Sequence, residues 1–97
     1  MTGQTIAILN ELAQELQIPE DDLIRRGLYS YLERQLRTVQ AEIFEITSKY
    51  NLSSVEEMDD RYRKGALEEA DSWRDFQRLD HLEYKRDRLQ KLLESLA

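Results

Sequence analysis

Four carboxylates of this 97-residue chain fall into two i, i+3 pairs, Glu42 with Glu45 and Glu68 with Asp71. On two facing helices, such pairs offer the oxygen ligands that Mg²⁺ prefers, and a nucleotide's phosphates would complete its shell. That chemistry needs all four side chains at one point, and the helical period works against it. Glu42 flanks an apolar stripe through Ile43 and Ile46, Glu45 points away from it, and Glu68 and Asp71 fall in an expected connector. With 20 acidic residues in the chain, this spacing arises readily by chance. His81 is the only histidine and falls off the apolar stripe of its helix. Arg78 stands where an E-x-x-H metal pair would need its Glu. Ser30, Ser48, Ser53, Ser54, Ser72 and Ser95 have no nucleophile elbow or partner base nearby, and no Gly-rich phosphate loop is present. The absence of Cys excludes disulfides, thiolate nucleophiles and Cys-based zinc sites. The expectation is a protein that is not an enzyme, with no catalytic residue, metal or cofactor.

The elements that would have to position such groups are long helices. Leu32, Leu36, Val39, Ile43, Ile46 and Tyr50 recur in steps alternating four and three. Leu79, Leu82, Arg86, Leu89, Leu93 and Leu96 repeat the same rhythm near the end of the chain. Each series keeps a narrow seam on one side of a helix, the pattern of helices that pack along their length. Arg86 interrupts the second seam, where its methylene stem can pack while its charge reaches water.

Upstream, Ile6, Leu9, Ala13 and Leu16 mark a first helix from Thr5, with Ile8 and Leu12 alongside. Pro19 disfavours helix at Ile18 and suits the first turn of the next helix. Glu20, Asp21 and Asp22 then meet the positive end of the helix dipole. That second helix meets no breaker until Asn51 except Gly27, placed where another helix could approach closely. Ser54 with Glu57 reads as a capping box, with Ser53 and Glu56 as the competing register. A short polar helix through Met58 and Tyr62 ends at Gly65. A connector from Ala66 to Ala70 leads to a last helix capped by Asp71 or Ser72. The expected fold is all-α in one domain over 1–97. Residues 1–36 form a helix-pair dimerisation part, and 37–97 an antiparallel helical hairpin with a short middle helix.

A chain that is 35% charged and 40% hydrophobic has little from which to build an interior, so a homodimer is expected. The formal charge of −6 is a poor match for a phosphate backbone and suits a basic protein partner. Nucleic-acid binding by the protein alone is therefore expected to be weak. No apolar run reaches membrane-spanning length and no signal peptide is evident, so a cytoplasmic protein without membrane contact is expected.

The run Ala13-Gln14-Glu15-Leu16-Gln17-Ile18-Pro19-Glu20-Asp21-Asp22-Leu23-Ile24-Arg25-Arg26-Gly27-Leu28 resembles the two helices of ribbon-helix-helix proteins, the antitoxin-type transcriptional regulators. Ile18 to Asp22 stands where that family has its turn, and Leu23, Ile24, Arg25, Leu28, Tyr31 and Leu32 match its second helix. The basic strand that the family places before its first helix, to read DNA and pair with its copy, has no counterpart in Met1 to Gln4. The resemblance implies a helix-pair dimerisation unit of antitoxin type without direct DNA readout. Leu52 to Met58 and Ser72 to Lys85 look like small uncharacterised proteins encoded beside toxin-like genes, which implies a toxin-neutralising or partner-binding role. The carboxylate pairs formally resemble the E-x-x-E and E-x-x-D motifs of all-α nucleoside-triphosphate pyrophosphatases, a third reading after the antitoxin and a structural helical adaptor.

Ile6, Leu9, Leu16, Leu28 and Tyr31 are the expected dimerisation residues. Trp73, Phe76, Asp80 and Tyr84 are the expected contacts to a basic partner, a toxin in the antitoxin reading, with Asp75, Glu83 and Asp87 around them. In the competing reading, Trp73 and Phe76 cover the short helix and touch Met58, Tyr62 or Leu67. Arg25, Arg26, Arg34 and Arg37 are the candidate DNA contacts.

Overall fold

The computed structural model describes the backbone from Met1 to Ala97 and every side chain other than those of Glu69 and Asp71. It is all-α, with four helices: α1 (Gly3–Leu16), α2 (Glu20–Tyr50), α3 (Val55–Arg63) and α4 (Glu69–Leu96). α1 starts two residues earlier than the apolar spacing indicated, because the Thr2 hydroxyl accepts from the Thr5 N–H at 3.2 Å and caps it. α2 runs unbroken through Gly27 for 31 residues, about 45 Å at the helical rise.

α4 folds back antiparallel along the second half of α2. Lys49 and Tyr50 meet Asp75 at one end of the hairpin. Leu28 and Leu32 line a hollow with Leu92 and Leu96 at the other. All twelve seam positions are buried or half-buried. Val39, Ile46, Leu79, Leu82 and Leu89 form the interior with Met58 of α3, and Met58 and Leu79 have no exposed surface. Arg86 is half-buried within its seam, with its guanidinium beside Asp87 at 3.0 Å.

Three helices end in one way, at residues of quite different types. Gln17, Asn51 and Gly65 each adopt positive φ, at 55°, 54° and 69°. Behind them, Ile18, Leu52 and Ala66 donate N–H groups five residues back, to Ala13, Thr47 and Arg61. This is the Schellman motif, which satisfies the last carbonyls of each helix. Glycine suits the left-handed position, asparagine tolerates it, and a glutamine there is strained. Gln17→Gly should therefore raise stability by up to about 1 kcal/mol, read as a higher midpoint in urea.

The short helix is tied at both ends. Ser54 caps it, accepting from the Glu57 N–H at 3.2 Å, while the Glu57 carboxylate reaches back to the Ser53 N–H and hydroxyl. Both serines of the competing registers are thus engaged, and these bonds hold the Glu57 carboxyl below its ordinary range. Glu83 of α4 accepts from the Val55 N–H at 2.7 Å, and Arg61 donates to the Tyr50 and Asn51 carbonyls at 2.6 and 2.8 Å.

The expected connector from Ala66 to Ala70 is shorter than its composition indicated, since α4 begins at Glu69. Of the two expected caps, Asp71 lies outside the described side chains. Ser72 sits inside the first turn, buried, donating to the Glu68 carbonyl at 2.5 Å and hydrogen-bonded to the Tyr62 hydroxyl. It secures α3 to α4 and caps neither.

Candidate functional site

The hairpin leaves one end of the molecule apolar and uncovered. α1 touches α2 through Ala13, its one buried residue, and through half-buried Leu9. The Asn10 amide, oriented to donate, adds a contact to the Glu20 carboxylate. The remaining apolar side chains of α1, Ile6, Ile8, Leu12 and Leu16, are exposed. Ile8, Leu12 and Leu16 follow one another at i+4 and form a ridge along the helix, with Glu11 and Glu15 each three residues on from a ridge residue. Leu28 and Tyr31 are exposed on α2, as is Leu92 on α4.

Between the two long helices at this end runs a groove of about 430 Å³ lined by Leu28, Tyr31, Leu32, Leu92, Ser95 and Leu96. A second hollow adjoins it across Leu96, of about 360 Å³, lined by Arg25, Arg26, Tyr29 and Ser30. No residue of α1 lines either one. Charge is divided in the same region. The first 24 residues hold five carboxylates and no Lys or Arg, whereas Arg25 and Arg26 stand beside the groove.

The extent of uncovered surface is large for a chain of this size. Its accessible area is 7340 Å², where a compact monomer of 11.6 kDa would expose about 5,800 Å². Its radius of gyration is 19.7 Å, against about 12.5 Å for a compact 97-residue domain. The molecule measures 61 × 24 × 17 Å, a rod rather than a sphere. The surplus of about 1,500 Å² exceeds the roughly 800 Å² per partner that a stable complex buries.

Comparison with known proteins places the whole rod in one family. The family described as "Uncharacterized protein MJ0235 family" matches residues 1–97. The chain belongs to this family. No curated protein and no solved structure matches the chain.

In this MJ0235-family chain, four of the five expected dimerisation residues are exposed. These are Ile6, Leu16, Leu28 and Tyr31, and Leu9 is half-buried. Ile24, Tyr29 and Leu92 are also exposed and are absent from that expected set. For Leu92 the signal was its neighbour: two consecutive leucines cannot both face one seam, so Leu92 beside Leu93 must point elsewhere. Gly27 is exposed, and a Cβ built there would meet nothing within 4 Å, so no helix of the same chain approaches it.

The expected partner-binding residues divide. Trp73 is 43% exposed and stacks on Phe76 with centroids 5.4 Å apart, while half-buried Phe76 meets the Tyr62 ring edge-on at 5.4 Å. Phe76 packs against the interior, and Trp73 shields it. Asp80 is exposed, and Tyr84 is 66% exposed. Asp75 and Glu83 are engaged within the chain. Phe44, 71% exposed on α2, is a further outward aromatic that no sequence motif marked. Arg25, Arg26, Arg34 and Arg37 are all exposed, with Arg25 3.7 Å from Asp21 one turn earlier.

Glu42, Glu45 and Glu68, the described members of the carboxylate pairs, do not assemble. Glu42 lies 3.9 Å from Arg78, Glu45 is exposed on α2, and the Asp71 side chain lies outside the described residues. Among the described residues, no three His, Cys, Asp or Glu side chains are placed to hold a metal ion. His81 is exposed. No described helix is long and apolar enough to cross a membrane.

A polar cluster at the closed end of the hairpin joins Asp75 to Tyr50 at 2.5 Å and to Lys49 at 2.9 Å. The Tyr50 phenol is held above its ordinary range, first by desolvation and then by its bond to Asp75, so it stays protonated and donates. Asp75 is held below the usual carboxylate range by the Tyr50 hydroxyl and then by Lys49, while its carboxylate raises Lys49. A depressed carboxyl adds stability above its unfolded value, near 4, that disappears as pH falls through its folded value. Asp75→Asn should therefore lower the melting temperature at pH 7. The gap from the unsubstituted chain should shrink below about pH 4, as thermal melts across pH will read.

Proposed function

We propose that this protein is a non-catalytic, protein-binding component that works as a homodimer, of the antitoxin kind. The observation that carries the reading is the uncovered apolar end made by α1, the first half of α2 and the tip of α4. Exposed apolar side chains on three helices of a charged chain, with an apolar groove among them, suit a contact between proteins. The tightly bonded closed end supplies the rigid rod that presents it.

The second contact in this reading lies on α4, where exposed Trp73 and Tyr84 provide large side chains beside acidic Asp80 and Asp87. Such a surface suits a basic partner, with the acids setting the encounter rate and an aromatic anchor most of the affinity. The antitoxin reading requires that a small basic protein encoded next to this chain arrests growth when produced alone. Co-production of this chain should then restore growth, and the two should co-purify. Trp73→Ala should weaken that complex by about 2 kcal/mol and leave the dimer and helical signal intact. An adjacent product that is harmless, or that does not bind, would contradict the antitoxin assignment.

DNA binding by the isolated protein is expected to be weak. At physiological salt, a generic duplex should show no shift at micromolar protein. Tight, steeply salt-dependent binding that falls on substitution of Arg25, Arg26, Arg34 and Arg37 would restore a direct DNA-reading role.

A further inference from the structure

We propose that the apolar groove between α2 and α4 is the seat of α1 from a second copy of this chain, exchanged reciprocally about a two-fold axis. The proposal rests on the dimer reading above and assigns its contact.

The ridge and the groove match in kind. Ile8, Leu12 and Leu16 are exposed along α1 and span about 12 Å at the helical rise. The groove offers an apolar lining of Leu28, Tyr31, Leu32, Leu92 and Leu96 with no α1 residue in it. The i, i+4 row of one helix is the kind of ridge that enters a groove on another.

The charges match as well. Glu11 and Glu15 run beside the ridge, and Arg25 and Arg26 line the hollow that continues the groove past Leu96. α1 carries no basic residue, so its docking brings only carboxylates to the two guanidiniums, of which Arg25 already has Asp21 at 3.7 Å and Arg26 makes no ion pair among the described residues. A two-fold axis makes this contact twice, which is the usual form of a self-complementary surface.

Charge reversal tests the assignment with the full chain. Glu11→Lys with Glu15→Lys makes the chain less negative overall, so a general charge effect would tighten self-association. Docking of α1 beside Arg25 and Arg26 instead weakens it, by an expected tenfold or more at low salt. Arg25→Glu with Arg26→Glu should weaken it likewise. An equimolar mixture of the two variants should form heterodimers as tight as the unsubstituted homodimer, because each α1 then meets a groove of opposite sign. Sedimentation equilibrium reads all three, with circular dichroism confirming folded chains. Variants that self-associate as tightly as the original, or a mixture that fails to recover, would overturn the docking assignment while the dimer stands. An unsubstituted chain that is monomeric throughout would remove the dimer reading, and this assignment with it.

Discussion

Leu79→Ala is expected to lower the free energy of unfolding by about 3 kcal/mol, the largest loss available from removing a few methyl groups here. Leu79 is fully buried in a cluster with Val39, Ile46, Met58, Leu82 and Leu89, at the end of the hairpin where α3 closes over it. Collapse around the vacated space is opposed by the bonds that fix this end, Arg61 to the α2 carbonyls, Glu83 to the start of α3 and Asp75 to Tyr50. A domain this small has a total stability of roughly 5–10 kcal/mol, so the loss is a large share of it. Urea unfolding followed by far-ultraviolet circular dichroism measures the change. A loss under about 1 kcal/mol would show that the hairpin is not held by this seam.

Leu28→Glu is expected to act on association instead of folding. Leu28 is half exposed in the single chain, so a carboxylate there meets water and costs the monomer little. In the dimer it would be buried against apolar side chains and would weaken association by about 3 kcal/mol, roughly a hundredfold in Kd. The pair of substitutions thus separates the two halves of the rod: one destabilises the closed end, the other abolishes the contact at the open end. Leu28→Glu that unfolds the chain, or leaves the dimer intact, would place the contact elsewhere.

The hairpin was legible because a seam of period three-and-four has only one structural use. Every residue from Leu32 to Tyr50 and from Leu79 to Leu96 in the two stripes lies buried or half-buried. Helix ends were legible where the residue itself prefers the required conformation, as Gly65 does. They were less so where tertiary contacts decide. Ser72 carries the chemistry of a cap, yet lies a turn inside α4, because Tyr62 and the Glu68 carbonyl draw its hydroxyl inward.

The apolar end was visible in part. Ile6, Leu16, Leu28 and Tyr31 stood out as apolar residues with no seam to join. Ile8 and Leu12 stood beside the first helix's main stripe, and their prominence follows from which face of α1 meets α2, a matter of tertiary packing. The Arg25 and Arg26 flank was read as a candidate for DNA because a basic pair in sequence does not reveal what lies next to it. In three dimensions it adjoins an apolar groove through Leu96, the arrangement on which the proposed docking of an acidic helix draws. Phe76 illustrates the converse. Its type suggested a binding anchor, and its position against Tyr62 gives it a packing role that only the fold of α3 creates.

In the proposed dimer, the apolar end of each chain is covered by a second copy. The most direct test is the mass in solution of the unsubstituted protein, measured by sedimentation equilibrium from low to high micromolar concentration. Twice the 11.6 kDa chain mass is expected at the upper end, falling towards the monomer on dilution or with Leu28→Glu. A single species of one chain mass at every concentration, with a cooperative melt independent of concentration, would contradict it.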